Sequence, residues 1–334
     1  MNSVNVIIPS ITVSNELIKC LRGLNKINYK NFFVTIVIDY ENKRKIPKFK
    51  FKLNKLIVGK IFMSKKRNLA SKKFKSEYIA FIDSDCYPSK NWLKKSVELL
   101  KIKPIHVVGG PNISFQKQTY SEDITSNCKK SIFISGHLAY RKFKSPERYC
   151  DDYLESCNLI MKKKFFLGCG GMNEKVYISE DKILFEDLRK KYRKFKAFYS
   201  PEIFVYHKQR TILKFLLQRL SYGTALLSSV SLKIGFKGLV PAFPIIGFFL
   251  LLFFLSTNLS FDIKFFFVTF LILLINFFIY FEIKKSVFKI NDKLHTLLII
   301  NLCNVMHIMG SLITILGLRK LCERKIYVLS RSNE

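Results

Sequence analysis

Three long apolar stretches occupy the last third of this chain, and they narrow its possible folds more than any other feature. Residues 239–256 and 265–283 are almost free of charge, and 296–318 is uncharged although it carries Asn301, Asn304 and His307. A helix crosses roughly 30 Å of hydrocarbon with about 20 apolar residues, and these stretches have that scale. Buried helices of a large soluble protein would have the same composition, but three in one third of a chain leave little chain to cover them. The expectation is a transmembrane region over 238–318, with two spans and a third segment whose polar interruptions also suit a re-entrant or interfacial helix. Lys284, Lys285, Lys289 and Lys293 between the second and third stretches suit a cytoplasmic loop. A full third crossing would put the basic tail 319–334 (Arg319, Lys320, Arg324, Lys325, Arg331) on the other side, against the same rule. Just ahead, 216–237 is expected to form amphipathic linker helices at the interface. Ile212, Phe215, Leu216 and Leu220 share one side, with Lys214 and Arg219 elsewhere, a pattern that packing on a globular domain would also give.

Residues 1–215 have a different texture. Short apolar runs at 4–8, 33–38, 57–62, 78–82 and 106–108 have the length and β-branched content of buried strands. Residues 16–24 and 91–100 between them repeat apolar residues at helical spacing. Such βαβ alternation predicts an α/β domain, Rossmann-like and doubly wound around a mostly parallel sheet. The chain enters its first strand at Val4, without a basic region before a long apolar stretch, so a strand is expected there and not a signal peptide. The eight cysteines are scattered, with no Cys-x-x-Cys pair and no zinc-like spacing along the sequence. They read as reduced thiols in a domain facing the cytosol.

The sharpest chemical signal is Asp83-Ser84-Asp85, directly after Tyr78-Ile79-Ala80-Phe81-Ile82. Ligands of open α/β sheets bind beyond the carboxyl ends of strands, so two carboxylates there face a ligand crevice. Paired oxygens suit a hard cation, Mg²⁺ or Mn²⁺, that also bridges two phosphates. The same residues would equally form a solvated turn, with Asp83 capping a helix that starts near Asn91. Ser179-Glu180-Asp181 has a similar double meaning: a carboxylate base, or the acidic N-terminus of a helix over 183–188. His207, after Ile203-Phe204-Val205-Tyr206, is a metal or phosphate ligand or a structural residue at a strand end.

With 57 basic against 24 acidic residues, the net charge of +33 predicts anionic partners. Nucleotide phosphates and membrane lipids fit. Nucleic acid is not expected, since no finger or RNA-binding signature is present. Residues 41–75 hold fourteen Lys or Arg against Glu41 alone, a solvated surface or a lipid-attracted one.

Taken in order, these segments resemble a family 2 glycosyltransferase of the GT-A fold. Val4-Asn5-Val6-Ile7-Ile8-Pro9 resembles that family's opening strand. Phe33-Val34-Thr35-Ile36-Val37-Ile38-Asp39 resembles the second, whose terminal Asp contacts the nucleotide base. Lys66-Arg67-Asn68-Leu69-Ala70 resembles the Arg-Asn element before the Asp-x-Asp strand. Ser156-Cys157-Asn158-Leu159-Ile160-Met161 through Gly170-Gly171-Met172-Asn173-Glu174 resembles the acceptor-side strand and turn. Ser179-Glu180-Asp181 resembles the pair that supplies the base, and Arg219-x-x-Tyr222-Gly223 a late basic and aromatic element. The resemblance implies donor contacts from Pro9, Asp39, Arg67, Asn68, Asp83, Ser84, Asp85 and Arg219. It implies metal ligation by Asp85 and Asp83 with His207, and catalysis by Asp181 with Glu180. Ser10-Ile11-Thr12 departs from the usual polar and aromatic turn, and Asp39-Tyr40-Glu41 lacks the double Asp.

The implied function is a membrane-anchored, metal-dependent, inverting glycosyltransferase. It would move a sugar from a nucleotide-diphosphate donor, a UDP-sugar favoured, to a lipid-linked or membrane-proximal glycan acceptor in cell-surface polysaccharide or glycolipid synthesis. The expected place is the inner cell membrane, multi-pass, with the catalytic domain cytoplasmic. A processive polysaccharide synthase is the enzymatic alternative, but Gln218-Arg219 does not form the Gln-x-x-Arg-Trp element and the single Trp is Trp92. A basic membrane protein that binds polyanions is the non-enzymatic one.

Overall fold

A computed structural model describes residues 3–176, 178–226, 239, 241–284, 287, 289–319, 326 and 329. Lys285 and the tail residues Lys320, Arg324, Lys325 and Arg331 lie outside the described residues, as does most of the linker beyond residue 226. The chain divides into two compact units, Met1–Phe115 with Tyr140–Lys208, and Gln116–Ala139 with Gln209–Asn333.

The first unit begins with β1 (Val4–Pro9), α1 (Asn15–Leu24), β2 (Phe32–Ile38), β3 (Lys52–Ile57), α2 (Met63–Lys73) and β4 (Tyr78–Ile82). Strands β3, β2, β1 and β4 lie side by side and parallel. Both faces of β1 and β4 are buried, which is why those runs are continuously apolar rather than alternating. Ser14 caps α1 by accepting from Leu17 N, and Leu17, Cys20, Leu21 and Leu24 turn its buried face to the sheet. Asn5 is the polar exception inside β1, its carbonyl oxygen accepting from Thr35 and its amide donating to the Ala70 carbonyl.

The third strand falls at 52–57 and not at 57–62. Lys52, Asn54 and Lys55 interrupt its apolar residues at the sheet edge, and the apolar residues after Ile57 lead into α2.

The chain continues through β5 (Cys86–Pro88), α3 (Trp92–Ile102), β6 (Val107–Gly109) and β7 (Asn112–Ser114). After α4 (Tyr120–Lys130) and α5 (Ile132–Ser135) of the second unit come β8 (Arg148–Cys150), β9 (Asn158–Lys162), α6 (Lys163–Gly168), α7 (Glu180–Lys191), β10 (Ala197–Tyr199) and β11 (Val205–His207). The main sheet runs β3-β2-β1-β4-β9-β6-β10-β8, with β9 antiparallel between β4 and β6. A small second sheet, β5-β11-β7, sets His207 opposite Cys86. Trp92 anchors α3 through its indole N–H to Asn158 Oδ1 at 2.8 Å, and the Asn158 amide donates to the carbonyls of Pro111 and Ile203.

The second unit is helical: α4, α5, α8 (Ile212–Thr224) and the helices Phe243–Ser256, Phe261–Lys284 and Ile290–Ile315. The last two are long and apolar enough to cross a membrane by length and composition. The 24 residues of Phe261–Lys284 extend about 36 Å at roughly 1.5 Å each, and Phe265, Phe266 and Leu273 stand exposed along it. Polar residues of the last helix find partners inside the unit. The Asn301 amide donates to Asn276 Oδ1 at 2.8 Å, and His307 Nε2 lies 2.9 Å from the Pro241 carbonyl. Gly223 of α8 meets Gly310 where the two backbones touch, and a Cβ on Gly223 would fall 2.2 Å from the His307 carbonyl.

Candidate active site

The carboxyl ends of β1, β2 and β4 carry Pro9, Asp39 and Asp83. These positions follow from strand register: Pro9 pairs with Val37, and Ile7 with Phe81. Asp39 is held by Lys66, whose side chain is fully buried and whose ammonium lies 2.7 Å from Asp39 Oδ1 and 2.5 Å from the Ser10 carbonyl. A lysine buried this deeply needs both partners, because an unpaired charge there would cost several kcal/mol.

Helix α2 also supplies Arg67, buried at the crevice floor. Its Nη2 donates to Asp83 Oδ1 at 2.7 Å, and its Nη1 lies 3.5 Å from Glu180 Oε1. One guanidinium thus ties the strand-end acid to the acidic pair at the start of α7. Asp83 does not cap α3, which begins after Asn91 without a side-chain cap. Asn68 faces the turn before α7: its amide donates to the Met172 carbonyl and Glu174 Oε1, both at 2.8 Å, and its Oδ1 accepts from Met172 N. Gly170 and Gly171 have φ of +94° and +85°, and a Cβ on Gly171 would lie 2.5 Å from Asn68 Oδ1, so the turn requires glycine.

Ser84 is buried in the turn between Asp83 and Asp85. Asp85 Oδ1 is 3.3 Å from His207 Nε2. The acceptor atoms of Asp83, Asp85 and His207 all lie within 4.8 Å of one another, so the three fit a hard divalent cation. Two carboxylates and one imidazole are suitable donors for Mg²⁺ or, better, Mn²⁺.

Glu180 and Asp181 open α7. Ser179 before them has φ +68°, the one non-glycine in the left-handed region among the described residues, and makes no side-chain cap. Such a conformation costs about 1–3 kcal/mol and concentrates at functional sites. Asp181 Oδ2 accepts from Ser156 N at 3.1 Å, while its buried Oδ1 has no hydrogen-bond partner among the described residues. Burial and the Glu180 charge push the Asp181 carboxyl up to about 7, against the opposing pull of Arg67 and Ser156. A base with this affinity is half ionised near neutrality.

Glu155, for which no local sequence signal exists, sits in the same neighbourhood. Burial would raise its carboxyl, but Lys142 at 2.7 Å and Arg141 at 3.5 Å hold it well below the ordinary range, with His207 adding to the effect. It also accepts from the Asn112 amide. Arg219 belongs to the second unit, where its Nη1 donates to the Ile134 carbonyl at 3.2 Å and its guanidinium lies over the Tyr222 ring.

A mostly parallel sheet with carboxylates at the end of a central strand, and a buried carboxylate opening a later helix, is an α/β architecture of GT-A type. The family model for glycosyltransferase like family 2 matches residues 24–231, more than half of the chain, and the chain belongs to that family. Among solved structures it is similar to a crystal structure of residues 1–349 of S. aureus TarS, at 15% identity and TM-score 0.43, over 67% of this chain and 65% of that one. Another TarS crystal structure gives 15% identity and TM-score 0.42, over 67% of this chain and 40% of that one. The 1–349 fragment in complex with UDP-GlcNAc gives 17% and 0.43, over 59% and 58%. The chain thus covers less than two thirds of the TarS chains it matches. A search of curated proteins gives no match.

Proposed function

We propose that this chain transfers a sugar from a nucleotide-diphosphate donor, a UDP-sugar, to a hydroxyl of a lipid-linked or membrane-proximal glycan, with inversion at the anomeric carbon. The observation that carries this reading is the Arg67 strut, which joins the strand-end Asp83 to Glu180, next to the buried Asp181. Asp83, Asp85 and His207 would hold Mg²⁺ or Mn²⁺, which when bound offsets charge developing on the departing diphosphate. Pro9, Asp39 and Ser84 line the donor side, and Arg67 with Asn68 positions the acids. Asp181, fixed through Ser156 N, removes the proton of the attacking hydroxyl, and Glu180 keeps its affinity for that proton high. Arg219 is assigned to the donor's phosphates on the resemblance stated above.

The catalytic domain is assigned to 1–215, linker helices to 216–237, the membrane region to 238–318 and a basic tail to 319–334. The apolar helices anchor the enzyme in the inner cell membrane as a multi-pass protein, with the catalytic domain on the cytoplasmic side where nucleotide sugars are made. Detergent-purified full chain, given UDP-sugars with Mn²⁺ and a membrane glycolipid extract, should release UDP. Asp85→Asn and Asp181→Asn should each slow the release by at least about 10²-fold. Undiminished turnover in both variants would refute the site.

A further inference from the structure

A second set of metal-ligating atoms overlaps the first. The ligand atoms of Cys86, Cys157 and His207 lie within 4.8 Å of one another, and the two thiols contact each other. Cys86 Sγ is 4.0 Å from Asp85 Oδ1, which is itself 3.3 Å from His207 Nε2. Two sulfurs, an imidazole and a carboxylate are the donors of a tetrahedral zinc site. With Zn–S near 2.3 Å and Zn–N near 2.0 Å, the donors of such a site stand roughly 3.5–3.8 Å apart, so a contraction of about 1 Å brings Cys86, Cys157 and His207 to that spacing, while Asp85, close to Cys86 and His207 but outside their mutual set, would have to turn toward Cys157.

Rigid elements hold all four residues. Cys86 opens β5 and pairs across the small sheet with His207 at the end of β11. Cys157 immediately precedes β9, whose Asn158 pairs with Ile82, and Asp85 lies in the turn after β4. The cysteines are far apart in sequence and show no motif spacing, so only the pairings of β5 with β11 and of β9 with β4 bring them together.

We propose that Cys86, Cys157 and His207, completed by Asp85, form a soft-cation site that takes Zn²⁺, and that its occupancy excludes the hard cation from Asp83, Asp85 and His207. The exclusion rests on the reading of Asp83, Asp85 and His207 as the activating site. Both sets draw on the His207 imidazole and the Asp85 carboxylate, so a cation held in one takes donors from the other. Thiolates select Zn²⁺, whereas Mg²⁺ and Mn²⁺ prefer oxygen, so the two positions discriminate by ligand softness. Zn²⁺ then inhibits this transferase, and excess Mn²⁺ restores it.

Co²⁺ is the probe, added to detergent-purified full chain kept reduced. A thiolate-to-cobalt charge-transfer band is expected, displaced by Zn²⁺, lost in Cys86→Ser and Cys157→Ser and retained in Cys169→Ser. Zn²⁺ should shield two thiols of the native chain from alkylation, a measurement that needs no variant. Inhibition of UDP release by Zn²⁺ should require at least tenfold more metal in Cys157→Ser. No band in the native chain, a band that persists in both Ser variants, or unaltered Zn²⁺ inhibition in Cys157→Ser would overturn the proposal. A cobalt–thiolate band in a chain that Mn²⁺ does not activate would instead overturn the activating-site reading and leave the zinc site supported.

Discussion

Arg67 and Lys66 are adjacent on α2 yet serve different acids, and the difference is testable. Lys66→Met removes the partner of a buried Asp39 and is expected to destabilise the first unit by about 3–5 kcal/mol, seen as a lowered melting temperature. Asp181→Asn removes the proposed base and should lower kcat by about 10²–10⁴-fold with little change in the donor KM. Asp181 also predicts the pH profile. Its carboxyl, raised to about 7, is protonated below that value, so kcat/KM should rise with pH through about 7. Glu180 raises it and Arg67 lowers it, so Glu180→Gln should move this limb to lower pH; a limb that stays in place would unseat Asp181. The stability sign is opposite to that of a salt-bridged acid: between its ordinary value and about 7 the folded chain binds the extra proton, so this group favours folding as pH falls. At this scale the place of Asp83-Ser84-Asp85 was legible because it follows an apolar strand, and that of Glu180-Asp181 because it precedes a helical run. Lys66, Glu155 and Cys157 were not, since their partners lie in distant segments and their residue types signal nothing locally.

Elements place these side chains through backbone features that tolerate few substitutions. Gly171→Ala should cost about 1–3 kcal/mol, because the left-handed turn is strained by any Cβ and that atom would displace Asn68. The loss should appear in the melting curve together with reduced turnover, as the turn leads into α7. In the second unit, Gly223→Val would wedge α8 away from the helix Ile290–Ile315. Its expected outcome is a lower melting temperature of the detergent-solubilised chain, which Gly223→Ala should share in milder form. Most elements could be read from periodicity, including α1 and the central strands. β3 could not, because at the sheet edge Lys52, Asn54 and Lys55 break up the apolar run that marks its neighbours. His207 was legible at a strand end, but its pairing with Cys86 across β11 and β5 was not, because the two segments are distant in sequence.

At the scale of the molecule, two stretches separated by the residues of β8 through β11 join one helical unit, since Gln116–Ala139 clusters with Gln209–Asn333. Ile124, Cys128 and Ile134 share a core there with Phe215, Ile283 and Ile300, a pairing no local pattern announces. The exposed phenylalanines of Phe261–Lys284 predict that the full chain stays with membranes through high salt and alkaline washing, and that only detergent releases it. Extraction by salt alone would limit the attachment to the basic surface. The antiparallel insertion of β9 carries a consequence of another kind, one of timing on the ribosome. β4 is complete at Ile82, but its other neighbour begins only at Asn158. A nascent chain therefore carries an open sheet edge, with Asp83 and Asp85 just beyond it, while the intervening residues are made and the first helices of the other unit emerge. Chaperone dependence and proteolytic vulnerability during synthesis should fall abruptly once residue 162 has cleared the exit tunnel.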